Sequence, residues 1–487
     1  MNRFLILLFS LTTTYSAKAQ IARPEEFRSK YKLAKVMMMG RHHVRSGSIT
    51  NREHRVTPHE WHQWEVEEGN LTQRGALLEQ QMGVFFNMWL SKEQLLDFSD
   101  PSSADSVLIY ANSMERTIET GRNFAKGLMP GIDLPVVYNT SVEMGKMDPV
   151  FNTVSSKTSD VLKKKANAEI DMLCGEGGLR EAISRLEQDA EVMADIIDMT
   201  SSTGCLEANA CSFHFDNPYI SLSRNAMPKI QGGNLYTAQL VSGNLILQYY
   251  DMPESAGQIF GHEITEEQLY TIGRVKDLWC HWSMSYHSVG TDICHLFMEK
   301  MREEITNPVN KIIYLVGHDS TIAGLTGALE MEEYTLPATP ECKTPLGGKI
   351  VVEVWQDENK QQYVALNYVY QSAQQILGLD QLSQSHPPMM VPLSLKTLEQ
   401  NADGLYPFEQ FMGILDNAID AYDTLDEYLP NDVNLDRKVD MLDVVDIILY
   451  LKGIPFKHFV SSVADINKDG SVTEMDVHSL ISKVAEP

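Results

Sequence analysis

Three short apolar runs end alike, each giving way to glycine or polar residues: KLAKVMMMG at 32–40, DSVLIYANS at 105–113 and KIIYLVGHDS at 311–320. Runs of this length, rich in branched and apolar residues and closed by turn-forming ones, predict buried strands. Helix-compatible stretches follow them, among them MERTIETGRNFAKGL and STIAGLTGALE. Strand then helix, repeated, predicts βα units and an α/β fold with a mostly parallel sheet flanked by helices. Between about 155 and 310 the pattern turns to amphipathic runs, DVLKKKANAEIDML, GLREAISRLEQDAEVMADIIDM and VGTDICHLFMEKMREEI. These predict a helical insert domain within, or packed on, the α/β core.

The C-terminal end follows a different pattern. DVNLDRKVDMLD (432–443) and DINKDGSVTEMD (465–476) are similar twelve-residue segments, each preceding an apolar-periodic helix. Asp432, Asn434, Asp436, Asp440 and Asp443 in the first, and Asp465, Asn467, Asp469 and Asp476 in the second, form an oxygen-rich set suited to Ca²⁺. Arg437 stands at position six, where glycine normally makes a turn of positive φ, at a cost of roughly 1 kcal/mol. The second loop is therefore expected to bind the ion more tightly. These residues predict a small all-α module over 432–487, after a linker at 422–431 that contains a proline and several acids.

Composition narrows the function. The chain has 487 residues, 43% apolar and 22% charged, which is ordinary for a globular protein of two or three domains. A formal net charge of -26 argues against non-specific nucleic-acid binding. Asn2 and Arg3, the apolar stretch Phe4 to Leu11 and Ala17-Lys18-Ala19 form a secretory signal pattern over residues 1–19, with a mature chain of α/β core and insert running from Gln20 to 421. No run is long enough for a membrane span, so the expectation is export to a periplasm, the cell surface or the medium. Export permits disulfides, and Cys205 and Cys211 lie close together in a polar segment and are the first candidate pair. Cys174, Cys280, Cys294 and Cys342 show no metal-ligand spacing and read as buried thiols.

Against this acidic background a basic cluster stands out. Arg41, His42 and Arg45 follow the first predicted strand, Arg116 the second, and His318 and Asp319 the third. Ligands of open α/β sheets bind beyond the carboxyl ends of the strands, so these groups converge on one place. Three guanidiniums suit a phosphate, and a helix beginning near Arg116 adds backbone N–H donors. A neutral imidazole is a competent nucleophile, and the surrounding positive charge depresses the pKa of His42. Asp319 can protonate a leaving oxygen and then take a proton from water. A metal-dependent hydrolase built on His42, His43 and His54 lacks a convincing ligand spacing.

GRHHVRS, YANSMERTIETGRNFAKGLMPG and LVGHDSTIAGLTGALE resemble the signature segments of the histidine acid phosphatases, the branch of the histidine phosphatase superfamily that contains phytases and periplasmic glucose-1-phosphatases. HEWHQWEVEEGNLTQRGALLEQQMG, MDPVFN, LILQYYDMP, TPLGGKIVVEVWQD and LNYVYQSAQQ extend the resemblance over about 30–415, toward the glucose-1-phosphatases in particular. It implies that His42 is the phosphorylated nucleophile, Asp319 the proton donor, and Arg41, Arg45, Arg116 and His318 the holders of the phosphate oxygens, with no catalytic cofactor. Asp251 stands where similar glucose-1-phosphatases carry a sugar-contacting glutamate, and Cys205 and Cys211 where similar enzymes have a short disulfide loop. The implied substrate is a sugar phosphate such as glucose 1-phosphate, with an inositol polyphosphate as the alternative. Arg52, His54, Arg55 and His59 would favour the polyphosphate if they border the pocket. The chain departs from the family pattern at His43, where glycine is usual, and at Ser46-Gly47, where Ala-Pro is usual. The C-terminal repeat resembles a dockerin module, which implies structural Ca²⁺ and a cohesin-like protein partner. The reading from another class is a non-catalytic, calcium-dependent scaffold or surface component.

Overall fold

Strand β1 (Tyr31–Arg41) carries consecutive buried residues because both of its faces are covered. Met37 and Met39 face one core together with Ile313, Leu315, Ile350 and Val352. Val36 and Met38 face the other, with Ile312, Tyr314, Val316 and Val351. This alternation is the period of two that a pleated strand imposes. In this computed structural model residues 23–252, 258–454 and 456–485 are described, and the predicted signal segment lies outside them.

The other strands of the central sheet and two small hairpins follow in chain order. They are β2 (Val107–Ala111), β3 (Val136–Val137), β4 (Tyr219–Ser221), β5 (Lys229–Gln231), β6 (Gln258–Ile259), β7 (His262–Glu263), β8 (Ile312–Gly317), β9 (Lys349–Asp357), β10 (Gln362–Tyr370), β11 (Met389–Pro392) and β12 (Tyr406–Pro407). The sheet order is β11-β10-β9-β1-β8-β2-β3, with β12 beside β10. The expected α/β class holds, but the sheet is mixed rather than mostly parallel. β1, β8, β2 and β3 pair in parallel, while β9 runs antiparallel to β1 and is followed by antiparallel β10, β11 and β12. Physically, residues 358–361 turn the chain straight back from β9 into β10, and a connection that short joins only antiparallel strands.

One layer over the sheet holds the helices Gln73–Lys92 and Glu115–Leu128, and the insert lies on the other side. The insert contains the helices Asp160–Cys174, Gly178–Ile196, Leu235–Asp251, Glu266–Met284 and His287–Thr306. Cys205 and Cys211 form a disulfide; Cys174, Cys280 and Cys294 are buried thiols and Cys342 is half-buried. At the C-terminal end, the helices Met441–Leu451 and Glu474–Ala485 close over Val433, Val444, Ile447, Ala464 and Leu480. The segment 422–431, expected to be a linker, is packed down: Lys165 Nζ donates to the Leu425 carbonyl at 3.1 Å, and Tyr428 joins a cluster with Ala168, Leu435 and Val460. Arg437 also reaches back, with a bidentate pair to Glu330 at 2.6 and 3.1 Å.

One buried ion pair ties helix to sheet beneath the strand ends. Lys349 Nζ lies 2.9 Å from Glu79 Oε1, neither side chain is exposed, and Tyr314 donates to the same carboxylate. Removing one partner strands the other charge, so Lys349→Met is expected to destabilise the fold by about 3–5 kcal/mol. Adding Glu79→Gln should recover much of that loss. Urea unfolding of the two single variants and the double variant checks this, and strictly additive losses would show that the pair is not coupled.

Candidate active site

The β1–β8 register builds the site. Arg41, the last residue of β1, sits opposite Gly317 at the end of β8, and the His42 amide donates to the Gly317 carbonyl at 3.0 Å. On the other flank of β8 the Asn112 amide donates to the Val316 carbonyl at 3.1 Å, so β2 ends at the same level. The helix after β2 places Arg116 in its first turn, and the helix Asp319–Ala328 begins directly after β8 with His318 at its N-cap. The rings of His42 and His318 lie 5.4 Å apart, and an Arg41 guanidinium nitrogen lies 3.6 Å from Asp319. The structure thus brings Arg41, His42, Arg45, Arg116, His318 and Asp319 into one interacting group.

Hydrogen bonding selects the tautomer of His42. Its Nδ1 lies 2.8 Å from the His43 carbonyl oxygen, which can only accept, so Nδ1 carries the hydrogen and Nε2 keeps its lone pair. Burial, and after it the charge of Arg116, holds the His42 imidazole well below its ordinary range. The neighbouring cations contribute as the sequence predicted, but the strand ends contribute more by removing water. Burial, with Arg116 and Arg41 beside it, also lowers the Arg45 guanidinium to about 10. Arg41 Nε and Arg116 Nε are buried donors without an acceptor, which suits an anionic ligand.

Asp319 behaves differently. Burial alone would raise its carboxyl, but Lys276 and Arg41 outweigh that and hold it well below the usual carboxylate range. Lys276 donates a short hydrogen bond to Asp319 Oδ2 and lies 3.5 Å from Glu341 Oε1. Glu341 in turn accepts from Arg41 at 2.7 Å. Neither Lys276 nor Glu341 was visible as a site residue in the sequence. In the sequence Lys276 is one of several charged residues, with Arg274 and Asp277, on an amphipathic insert helix. Asn112 was missed as well; its side-chain amide lies 2.7 Å from His318 Nε2 and fixes that ring.

The departures from the family pattern are packing residues. His43 is fully buried, accepts from the Val44 amide at Nδ1 and pairs through Nε2 with Gln371 at 3.0 Å. Burial lowers it to about 3, so it is a neutral ring with both nitrogens engaged and cannot serve as a metal ligand in this arrangement. Room for the ring comes from Gly347, at φ +68°, where a Cβ would stand 2.2 Å from His43 Cδ2. Ser46 is buried and donates to the Glu67 carbonyl; a Cβ on Gly47 would stand 2.7 Å from Asn244 Oδ1.

Asp251 ends the helix Leu235–Asp251 and lies 3.4 Å from His62 Nε2, without a direct contact to the strand-end cluster around His42. The same helix flanks the loop after β1, where Asn244 donates to the Ser48 carbonyl at 3.0 Å. Of the four extra cations, Arg55 faces Glu207 at 3.6 Å and His59 faces Asp198 at 2.6 Å. Arg52 lies over the Tyr236 ring, and His54 is exposed.

In the C-terminal loops the two repeats share most of their backbone hydrogen bonds. The Asp436 amide donates to Asp432 and Asn434, and the Asp469 amide to Asp465 and Asn467. Asp443 and Asp476 accept from the amides of Val433 and Asn467. Arg437 and Gly470, both at position six, have φ of 68° and 92°. Asp440 caps the following helix through the Leu442 amide, and Thr473 stands at its place in the second loop.

Comparison with known proteins agrees with this geometry. Residues 12–192 match the histidine phosphatase superfamily (branch 2), and residues 430–485 the dockerin type I domain. The chain is 30% identical over 394 residues to the glucose-1-phosphatase of Salmonella typhimurium strain LT2, covering 80% of this chain and 93% of that protein. To the phytase AppA of Escherichia coli strain K12 it is 29% identical over 440 residues, covering 85% and 97%. The apo structure of Hafnia alvei phytase shares the fold with a TM-score of 0.69 at 25% identity, over 80% of this chain and 98% of that one. The chain therefore belongs to branch 2 of the histidine phosphatase superfamily. It is a phosphomonoesterase that carries a dockerin type I module at its C-terminal end.

Because Lys276 is foremost among the charges that lower Asp319, Lys276→Met is expected to raise the pH at which Asp319 protonates. The pH profile of kcat/KM should move upward accordingly. A profile that loses height without moving would mean that Lys276 only supports packing.

Proposed function

We propose that the protein is an exported acid phosphatase that hydrolyses a sugar phosphate, such as glucose 1-phosphate, through a phosphohistidine at His42. The observation that carries this reading is a neutral imidazole, with its Nε2 lone pair free, among three guanidiniums. Arg41, Arg45, Arg116 and His318 hold the phosphate oxygens and neutralise their charge, which is most of what phosphoryl transfer requires. His42 Nε2 attacks phosphorus in line; the N–P bond forms as the ester P–O bond breaks, and Asp319 gives its proton to the leaving oxygen. The incoming phosphate offsets Lys276 and Arg41, so the Asp319 carboxyl rises on binding and can hold that proton. In the second step Asp319 takes a proton from water as the water attacks the phosphohistidine, releasing phosphate and restoring His42. The guanidiniums supply the charge neutralisation, and no step draws on a cofactor.

Two observations favour a single phosphate over a polyphosphate. Arg55 and His59 already pair with carboxylates of their own chain, which leaves fewer basic groups for further anionic groups. Asp251, with His62 beside it, offers a carboxylate to a sugar hydroxyl. A glucose-1-phosphatase stands among the relatives, and a phytase stands there too, so an inositol polyphosphate is the alternative substrate.

The two C-terminal loops suit Ca²⁺ by their donor set, Asp432, Asn434, Asp436, Asp440 and Asp443, and Asp465, Asn467, Asp469 and Asp476. Burial, together with Asp443 and Asp436, pushes Asp432 up to about 6, a crowding that a divalent cation relieves. Met441, Leu442, Val445, Ile454 and Met475 are exposed apolar positions on the module, the kind of surface a cohesin-like partner would cover. Residues 1–19 direct the chain to a periplasm or the cell surface, and no described helix is long and apolar enough to cross a membrane.

Phosphate release at mildly acidic pH from glucose 1-phosphate and inositol hexakisphosphate, with His42→Ala as blank, tests the reading. Glucose 1-phosphate should be hydrolysed with the higher kcat/KM, and His42→Ala should release nothing. Asp319→Asn should lower kcat by about 10²–10⁴-fold. A preference for inositol hexakisphosphate would overturn the sugar-phosphate assignment, and release independent of His42 would overturn the mechanism. Chelation of Ca²⁺ should lower the melting temperature of the module and leave phosphate release intact, as differential scanning calorimetry and the same assay would show.

A further inference from the structure

Outside the phosphate site, three side chains from distant parts of the chain meet at one point. His59 lies just after the short helix Asn51–His54 that follows β1, Asp198 on the turn after the helix Gly178–Ile196, and His262 at the start of β7. His59 Nε2 is 2.6 Å from Asp198 Oδ2, and His262 Nε2 is 2.9 Å from the same oxygen. The three donor atoms lie within 4.8 Å of one another, the one such group of histidine, cysteine and acidic residues among the described residues.

The surroundings hold the three in place. The His59 ring stacks on Phe260 at 4.9 Å, and Phe260 packs edge-on against Trp61. Thr57 Oγ1 donates to the Ile197 carbonyl at 2.8 Å and accepts from the His59 amide, which ties the loop to the residue next to Asp198. Side-chain exposures of 30%, 39% and 43% leave room for water to complete a coordination shell.

We propose that His59, Asp198 and His262 bind a Zn²⁺ ion, with two imidazole nitrogens, one carboxylate oxygen and water as ligands. Two nitrogens and one oxygen form a borderline donor set that suits Zn²⁺ and not the oxygen-seeking Ca²⁺ of the C-terminal loops. With bonds of about 2.0–2.1 Å, the edges of a tetrahedral site measure about 3.3 Å, so the two N···O separations need to open by less than about 1 Å. The net charge of -26 favours cation capture generally. Asp198 accepts both imidazoles through one oxygen, which is where a shared cation would replace two shared protons. The ion clips the β6–β7 hairpin and the end of the helix Gly178–Ile196 to the segment that follows the helix Asn51–His54. It touches none of the groups that hold or attack the phosphate, so its role is structural.

Cobalt(II) titration of the untagged full chain, with excess Ca²⁺ present to occupy the carboxylate loops, tests the proposal. One equivalent of Co²⁺ should give a visible d–d band that Zn²⁺ displaces, and Zn²⁺ should raise the melting temperature. His59→Ala, His262→Ala and Asp198→Asn should each lose the band and weaken binding by about 100-fold or more. His214→Ala, at an exposed histidine elsewhere, should keep both. Absence of a band and of a thermal shift in the wild-type chain would overturn the proposal and leave a clasp held by protons alone. A band that survives His59→Ala and His262→Ala would overturn it as well.

Discussion

A guanidinium taken out of water needs fixed counter-charges, and the architecture around Arg41 is organised by that need. Arg41 donates to Glu341 at 2.7 Å and to the Thr344 carbonyl, and faces Asp319. The loop that carries Glu341 is clamped in turn, because Asp277 accepts from the amides of Lys343 and Thr344 at 2.6 and 3.0 Å. Asp277 and Lys276 are neighbours on the insert helix Glu266–Met284. The insert therefore supplies both the clamp for the counter-charge and the lysine that sets Asp319. Without it the strand ends would hold unbalanced cations.

The same need explains why the signature can vary without losing its geometry. His43 replaces the usual glycine at the residue after His42, yet it points away into Gln371 and against Gly347. Lys349, which holds Glu79, also donates to the Gly347 carbonyl at 2.7 Å. The wall behind His42 is thus a chain of packed and hydrogen-bonded groups leading back to the buried ion pair. A residue change in that wall can be absorbed behind the ring while Nε2 of His42 keeps its place.

What the sequence reveals depends on whether a feature is contiguous. His42 with its arginines, and His318 with Asp319, follow directly on strands, so their convergence is legible once the strands are recognised. The calcium-type loops are legible because their spacing is repeated, and Cys205 and Cys211 because they are six apart. Lys276 reads as one more cation on an amphipathic helix, since nothing local says that its end lies beside Asp319. The antiparallel half of the sheet is hidden for a related reason. β9 and β10 are buried runs whose pairing is decided by the short turn between them rather than by a strand and helix alternation. His59, Asp198 and His262 come from three separate segments and carry no motif.

The central position of β1 has a consequence for how the protein is made. Val36 pairs with Ile312 on one side and with Glu353 on the other, so neither neighbour exists until the ribosome has passed residues 312–357. The insert helices, whose contacts are mostly nearer in sequence, are free to form first, and the sheet closes around a strand that has waited at the N-terminal end. His42 and Asp319 therefore meet only once β8 has been made and has paired with β1. Any nascent or truncated chain that stops short of β8 contains the signature histidine but neither His318 nor Asp319, so assembly of the chain itself sets when the site is complete.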